Sequence, residues 1–250
     1  MSESSTASPP PTADTTSPTI LALRDVRAAY GSIEVLHGIT IEVPTGSVVA
    51  LLGPNGAGKT TTISVASGLM PVTGGALEIA GQDVTGVGAT ELARAGVCTV
   101  PEGRGVFPNL TITENLLMAS YTGVERNEIR DLAFARFPRL AERRDQLAGT
   151  LSGGEQQMLA MARALSTDPV ILMLDELSMG LAPKIVGQLY EQVAAIAADG
   201  VSVLVVEQFA RSVLGVADHA VVMAHGTVQW SGAANDLDED LLTSTYLGGP

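Results

Sequence analysis

Apolar and polar positions alternate over residues 20–30 (ILALRDVRAAY) and 34–43 (EVLHGITIEV), which predicts two half-buried strands. At 47–52 (SVVALL) the alternation gives way to an unbroken apolar run, the pattern of a strand covered on both faces. The same pattern recurs at 96–101 (GVCTVP, stopped by Pro101), 169–176 (PVILMLDE) and 201–207 (VSVLVVE). Shorter strands are predicted at 76–81 (ALEIAG), 219–226 (HAVVMAHG) and 227–232 (TVQWSG). A helix is predicted after the glycine-rich 53–61 to about Leu69, ended by MPVTGG. From about Leu110 to Ser166 the pattern is helical, broken at Pro138 and at GTLSGG, and a further helix runs from Pro183 to about Ala198. Apolar strands alternating with helices imply an α/β fold. Its mostly parallel sheet would be covered on both faces, with the central helical block as an insertion.

Residues 1–18 (MSESSTASPPPTADTTSP) are too polar to bury apolar surface and read as a disordered tail, leaving 19–250 as a single domain. Hydrophobic residues make up 46% of the chain and charged ones 16%, a globular balance. The formal net charge of -13, from 14 basic and 27 acidic residues, argues against a nucleic-acid partner. Arg136, Arg139, Arg143 and Arg144 form the one basic cluster, and their spacing among Leu140 and Leu147 reads as a solvated helix face. Cys98, the single cysteine, cannot form an internal disulfide and is expected as a buried, inert thiol. No apolar run has the length of a membrane span and no signal peptide is visible, so a soluble, cytoplasmic protein is expected.

Chemistry enters at GPNGAGKTT (53–61), directly after the buried run 47–52. Gly53, Gly58, Lys59 and Thr60 occupy the fixed places of a phosphate loop, whose glycines leave backbone N–H groups free to face phosphate oxygens. Lys59 would reach the β- and γ-phosphates of ATP, Thr60 would ligate Mg²⁺, and the helix that follows adds its positive end. A plain glycine-rich turn is the alternative, but strand and helix stand on the correct sides, and Lys59 is one of only two lysines, with Lys184. The strand 169–176 supplies a partner, because Asp175 and Glu176 emerge at its tip. Asp175 would hold Mg²⁺ through water and Glu176 would polarise the attacking water, unless one of them merely caps a turn. At 151–157 (LSGGEQQ), Ser152, Gly153 and Gly154 precede an amphipathic helix. The residues alone leave two readings open, a second anion site or an ordinary N-cap with Glu155 closing a capping box.

The order of these three motifs resembles the ATP-binding subunits of ABC transporters, over about residues 20–248. The resemblance implies a P-loop ATPase cassette with a mostly parallel core sheet, an N-terminal antiparallel β part and a helical subdomain inserted at about 110–166. It implies nucleotide contacts from Gly53, Pro54, Asn55, Gly56, Ala57, Gly58, Lys59, Thr60 and Thr61, and from Tyr30 stacked on adenine. It also implies a head-to-tail pair of cassettes, with Ser152, Gly153, Gly154 and Glu155 of each facing the other's phosphate loop. The stretches VPEGRGVFPNLTITENL (100–116), AGTLSGGEQQMLAMARAL (148–165), SMGLAP (178–183) and VVEQF (205–209) resemble the shorter ATPase of branched-chain amino acid uptake systems. Such systems join two different ATPases, on the inner face of the cell membrane, to two permease subunits and an external solute-binding protein. Import of branched-chain or similar hydrophobic amino acids is therefore implied; another amino acid, amide or urea-like solute is the alternative. Residues 103–115 would face the permease, with Val106, Phe107 and Leu110 exposed rather than in a core.

Four positions depart from the broad family pattern. Glu102 stands for a Gln that contacts Mg²⁺, and adds a negative charge. Gln208 stands for a His; its amide can donate to the γ-phosphate but does not titrate near neutral pH. Both are similar to the shorter branched-chain subunit. Leu177 replaces a Pro without a reason visible in the sequence, and Ala182 replaces an Asp that signals between paired subunits. A cassette acting on ribosomes or DNA would carry a second cassette or basic insertions, and a small-molecule kinase would not need LSGGE.

Overall fold

The computed structural model describes residues 18–103 and 105–247, so the expected tail, Pro18 apart, lies outside the described residues. The strands in chain order are β1 (Thr19–Tyr30), β2 (Ile33–Pro44), β3 (Val48–Leu52), β4 (Gly74–Ile79), β5 (Gln82–Asp83), β6 (Val97–Val100), β7 (Ile171–Asp175), β8 (Ser202–Glu207), β9 (His219–Ala224) and β10 (Thr227–Ala233). The helices are α1 (Lys59–Ala66), α2 (Ala89–Arg94), α3 (Ile112–Leu117), α4 (Arg126–Arg136), α5 (Pro138–Ala141), α6 (Gly153–Leu165), α7 (Pro183–Ala198), α8 (Ala210–Val213) and α9 (Glu239–Leu247). A four-stranded antiparallel sheet has the order β2-β1-β4-β5, and a six-stranded sheet the order β10-β9-β3-β8-β7-β6. In the larger sheet only β10 runs antiparallel to its neighbour.

Every residue of β3, β7 and β8 is buried, as their unbroken apolar runs require. Alternate side chains of these strands enter different cores. Val48, Ala50, Leu52, Leu172, Leu174, Val203 and Val205 pack with α3, α6 and α7, while Val49, Leu51, Met173, Leu204 and Val206 pack with α1 and the antiparallel sheet. The pairing Leu52↔Glu207 and Asp175↔Val206 brings the carboxyl ends of β3, β7 and β8 to one edge. In open parallel sheets this edge is where ligands bind.

Several boundaries differ from the sequence pattern. Helix α1 ends at Ala66 rather than near Leu69, because Gly68 turns left-handed at φ 70°. The arginine cluster does not lie on one helix face: Pro138 biases Phe137 out of helical geometry (ψ 74°), separating Arg136 on α4 from Arg139 on α5, while Arg143 and Arg144 follow in a turn. Arg136 pairs with Asp199 just past α7. Cys98 is half-buried, not fully buried, and burial raises its thiol pKa despite a hydrogen bond with Thr167. Among the described residues no helix is long and apolar enough to cross a membrane.

Candidate nucleotide site

The loop 53–58 leaves β3 and enters α1 through backbone that L side chains resist, with Gly56 at φ 80° and Gly58 at φ 102°. A Cβ on Gly58 would stand 2.9 Å from Leu36 Cδ2, and one on Gly53 would stand 2.3 Å from the Met223 carbonyl oxygen. Gly226 N–H donates to the Ala57 carbonyl at 3.0 Å, pinning the loop to the turn after β9. No side chain caps α1, so its first amides are left facing the loop's hollow. Thr60 and Asn55 are exposed there, Pro54 is half-buried, and Thr61 is buried.

Lys59 is 4% exposed, and its Nζ donates to the carbonyls of Gly53 (2.9 Å) and Pro54 (3.2 Å). Burial lowers the Lys59 pKa, against the opposing pull of Glu176, Asp175 and Glu207. Asp175 is buried and its Oδ1 has no hydrogen-bond partner. Burial, followed by the charges of Glu176 and Glu102, pushes the Asp175 pKa up to about 6 against the opposing charge of Lys59. One buried ammonium among several carboxylates leaves the edge short of positive charge. The orphaned Asp175 oxygen and an all-oxygen set with Thr60 and Glu102 fit Mg²⁺, which takes one or two carboxylates and completes its shell with waters and substrate phosphates. Among the described residues no group of three or more His, Cys, Asp or Glu side chains could hold a metal ion. The binding set would therefore be complete only with the nucleotide.

Glu176 is half-buried and sits at φ 49°, a left-handed conformation that costs a non-glycine residue roughly 1–2 kcal/mol. It shares a cleft of about 440 Å³ with Glu102 and Gln157. Gln208, half-buried, directly follows β8. Tyr30 ends β1 with 57% of its surface exposed.

Around Ser152 the capping box is formed. Ser152 Oγ donates to Glu155 Oε2 at 2.7 Å, Ser152 N–H donates to the same oxygen at 2.9 Å, and Glu155 N–H donates to Ser152 Oγ at 3.4 Å. These bonds from Ser152 lower the Glu155 pKa despite partial burial, with help from Arg143 at 3.1 Å. Gly154 is required for packing, since its Cβ would meet Ile185 Cγ2 of α7 at 2.2 Å. Among the described residues no hydrogen bond or ion pair joins Ser152, Gly153, Gly154 or Glu155 to the phosphate loop. One chain brings Lys59, Asp175 and Glu176 within electrostatic reach of one another, while Gln156 and Gln157, just after LSGGE, line the cleft that holds Glu176.

Phe107 is 43% exposed with Arg163 Cζ 5.2 Å from its ring centre. Its backbone is fixed by Asn115, whose Oδ1 accepts the Phe107 N–H at 2.8 Å and whose Nδ2 donates to the Phe107 carbonyl at 3.0 Å. Phe107 is thus a surface residue, whereas Val106 and Leu110 are half-buried, not exposed as expected. Leu177, unexplained in the sequence, is 2% exposed and belongs to the larger apolar core. Ala182 is the N-cap of α7 and offers no capping side chain.

Two residues of this region escaped the sequence reading. Glu207 ends β8 as Asp175 ends β7, and that shared pattern of an acid closing a buried strand was available as a signal. Tyr246 of α9 accepts the Gly53 N–H on its hydroxyl at 3.1 Å, across 193 positions, and no local pattern announces it.

The model of the ABC transporter family matches residues 36–178. The chain belongs to the ABC transporter ATPase family. It is 40% identical over 237 residues to the high-affinity branched-chain amino acid transport ATP-binding protein BraG of Pseudomonas aeruginosa, covering 92% of this chain and 100% of that one. It is 36% identical over 223 residues to a probable branched-chain amino acid transport ATP-binding protein, LivF, of Archaeoglobus fulgidus, covering 87% and 94%. Among solved structures it superposes with TM-score 0.80 and 27% identity on the ADP conformation of an ATP-binding cassette of an ABC transporter, covering 90% and 94%. The α/β cassette fold expected from the motifs is the observed one. This ABC cassette is the ATP-binding subunit of a transporter, and it couples ATP hydrolysis to transport.

Proposed function

We propose that this cassette powers import of branched-chain, or similarly hydrophobic, amino acids through a membrane permease. The named transport function of its relatives in Pseudomonas aeruginosa and Archaeoglobus fulgidus supports the solute class. The observation that carries the chemistry is the common edge of β3, β7 and β8, where Lys59, Asp175 and Glu176 meet and Asp175 Oδ1 is buried without a partner.

Amides of the loop from Gly56 to Thr61 cradle the phosphates, Lys59 exchanges its carbonyl partners for phosphate oxygens, and Tyr30 stacks on adenine. Thr60, Asp175 and Glu102 would hold Mg²⁺, which would supply charge neutralisation at the γ-phosphate. Glu176 accepts the proton of the attacking water, and Gln208 donates its amide N–H to the γ-phosphate. Ser152, Gly153, Gly154 and Glu155 serve the nucleotide of a second ATPase subunit in a head-to-tail dimer, which accounts for two anion-competent segments in one chain. The cassette works at the inner face of the membrane against permease subunits, with an external solute-binding protein acting through them. Nucleic acid has no part in this, in keeping with the net charge of -13.

Uptake of labelled leucine, isoleucine and valine, set beside glutamate, amides and urea, tests the proposal in cells lacking the gene. Uptake of the branched-chain set should fall and return with the wild-type gene but not with Lys59→Ala. Unchanged branched-chain uptake alongside loss of another solute would replace the substrate while leaving the ATPase in place.

A further inference from the structure

Glu207 is 1% exposed and has no role in the chemistry above. Both of its carboxylate oxygens are taken. Oε1 accepts the Ser178 N–H at 2.9 Å and the Tyr190 hydroxyl at 2.5 Å, and Oε2 accepts the Ser178 hydroxyl at 2.9 Å. A carboxylate so enclosed cannot touch nucleotide or metal. What it holds is the turn that carries Glu176. Val206, one residue earlier on β8, accepts the Glu176 N–H at 2.9 Å, and Met179 N–H closes the turn on the Glu176 carbonyl at 3.3 Å. The left-handed Glu176 (φ 49°) persists only where its surroundings over-determine it, and the end of β8 does so through Val206 on one side and Glu207 on the other. Tyr190 extends the network to α7, so three elements converge on one buried acid.

We propose that Glu207 is a positioning residue for hydrolysis. It fixes the turn 176–179 so that the Glu176 carboxylate stands at the attacking water, and it joins that turn to the strand end from which Gln208 emerges. This rests on the reading of Glu176 as general base. The position of a base matters steeply, and a displacement of about 1 Å can cost on the order of 10²-fold in rate.

The test is a double-mutant cycle in the full chain, measuring kcat, KM and the ATP dissociation constant. Glu207→Gln keeps the shape but turns an N–H₂ toward groups that now donate. It should lower kcat about ten- to a hundredfold while ATP affinity does not fall. In a Glu176→Gln background the same change should lower kcat no further, because the group it positions is already inactive. A structural role alone would leave kcat of the folded Glu207→Gln protein at the wild-type value, and that result overturns the proposal, as does a full additional loss in the double variant. Undiminished hydrolysis by Glu176→Gln alone would instead overturn the general-base reading and this proposal with it. Should Glu207→Gln not fold, Tyr190→Phe removes one donor without a change of packing. A smaller fall in kcat at unchanged ATP affinity supports the proposal, and wild-type kcat overturns it.

Discussion

Lys59 sits beneath the phosphate loop with two backbone carbonyls as partners and three carboxylates within electrostatic reach. Its charge is kept in a buried place by those acids, so the site is arranged for an incoming anion that brings its own cation. The second lysine, Lys184, lies in the first turn of α7, far along the chain. Lys59→Ala should therefore abolish ATP binding, read as the loss of a heat of binding in calorimetry on protein whose circular dichroism shows it folded. ATP bound with wild-type affinity would remove Lys59 from the site. At this scale much was legible: the lysine of the phosphate loop and the two acids closing a buried strand, Asp175 and Glu176, lie within electrostatic reach of one another. Glu207 was passed over because its strand, β8, reads as plain core until the partners Ser178 and Tyr190 are seen to converge on it.

Elements were legible in proportion to their length and burial. β3, β7 and β8 announce themselves because a strand covered on both faces admits no polar residue before its tip. By contrast α2 and α8, of 6 and 4 residues, are too short for a 3.6-residue period to show, and α9 meets the phosphate loop through the long-range bond from Gly53 N–H to Tyr246. The central helical pattern showed its breaks at Pro138 and at GTLSGG but concealed the one between α3 and α4, where Gly123 is left-handed at φ 89°; the capping boxes of Thr111 and Ser152 set two of the helix starts. The first of those boxes starts α3 just beyond Phe107, and Asn115 within α3 holds the Phe107 backbone. With its ring on the surface, Phe107 contributes little to the core. Phe107→Asp should keep the fold, since the introduced carboxylate gains Arg163 as a neighbour, and keep the ATPase rate of the free protein. Transport driven in cells should be lost, because a desolvated charge would face the permease. Full transport with this variant would move the docking surface elsewhere; a collapse of the thermal midpoint would mean the ring anchors the helical block.

At the scale of the whole molecule, no hydrogen bond or ion pair joins LSGGE to the phosphate loop among the described residues, which the proposed head-to-tail dimer would explain. Each chain offers a β3–β7–β8 edge and a capped α6 N-terminus. In the proposed head-to-tail dimer the nucleotide contacts both faces, so assembly should depend on bound MgATP. Glu176→Gln separates binding from chemistry in such an assembly. The amide keeps a hydrogen bond to water but cannot take its proton, and removal of a positioned base typically costs about 10²–10⁴-fold in rate. That is on the order of 3–5 kcal/mol of transition-state stabilisation. Affinity for MgATP should hold or rise, because a negative charge near the γ-phosphate is gone. With hydrolysis stopped, the closed pair has no route to ADP and should persist. In size-exclusion chromatography with its paired ATPase, the variant should elute as a dimer in MgATP and as separate chains in ADP, while the wild type separates as ATP is consumed. Asp175→Asn should fail differently, losing the Mg²⁺ dependence of ATP binding and the dimer along with it. Hydrolysis at the wild-type rate by Glu176→Gln would pass the role of base to another carboxylate of the same cleft, and Glu102 is the one the geometry places there.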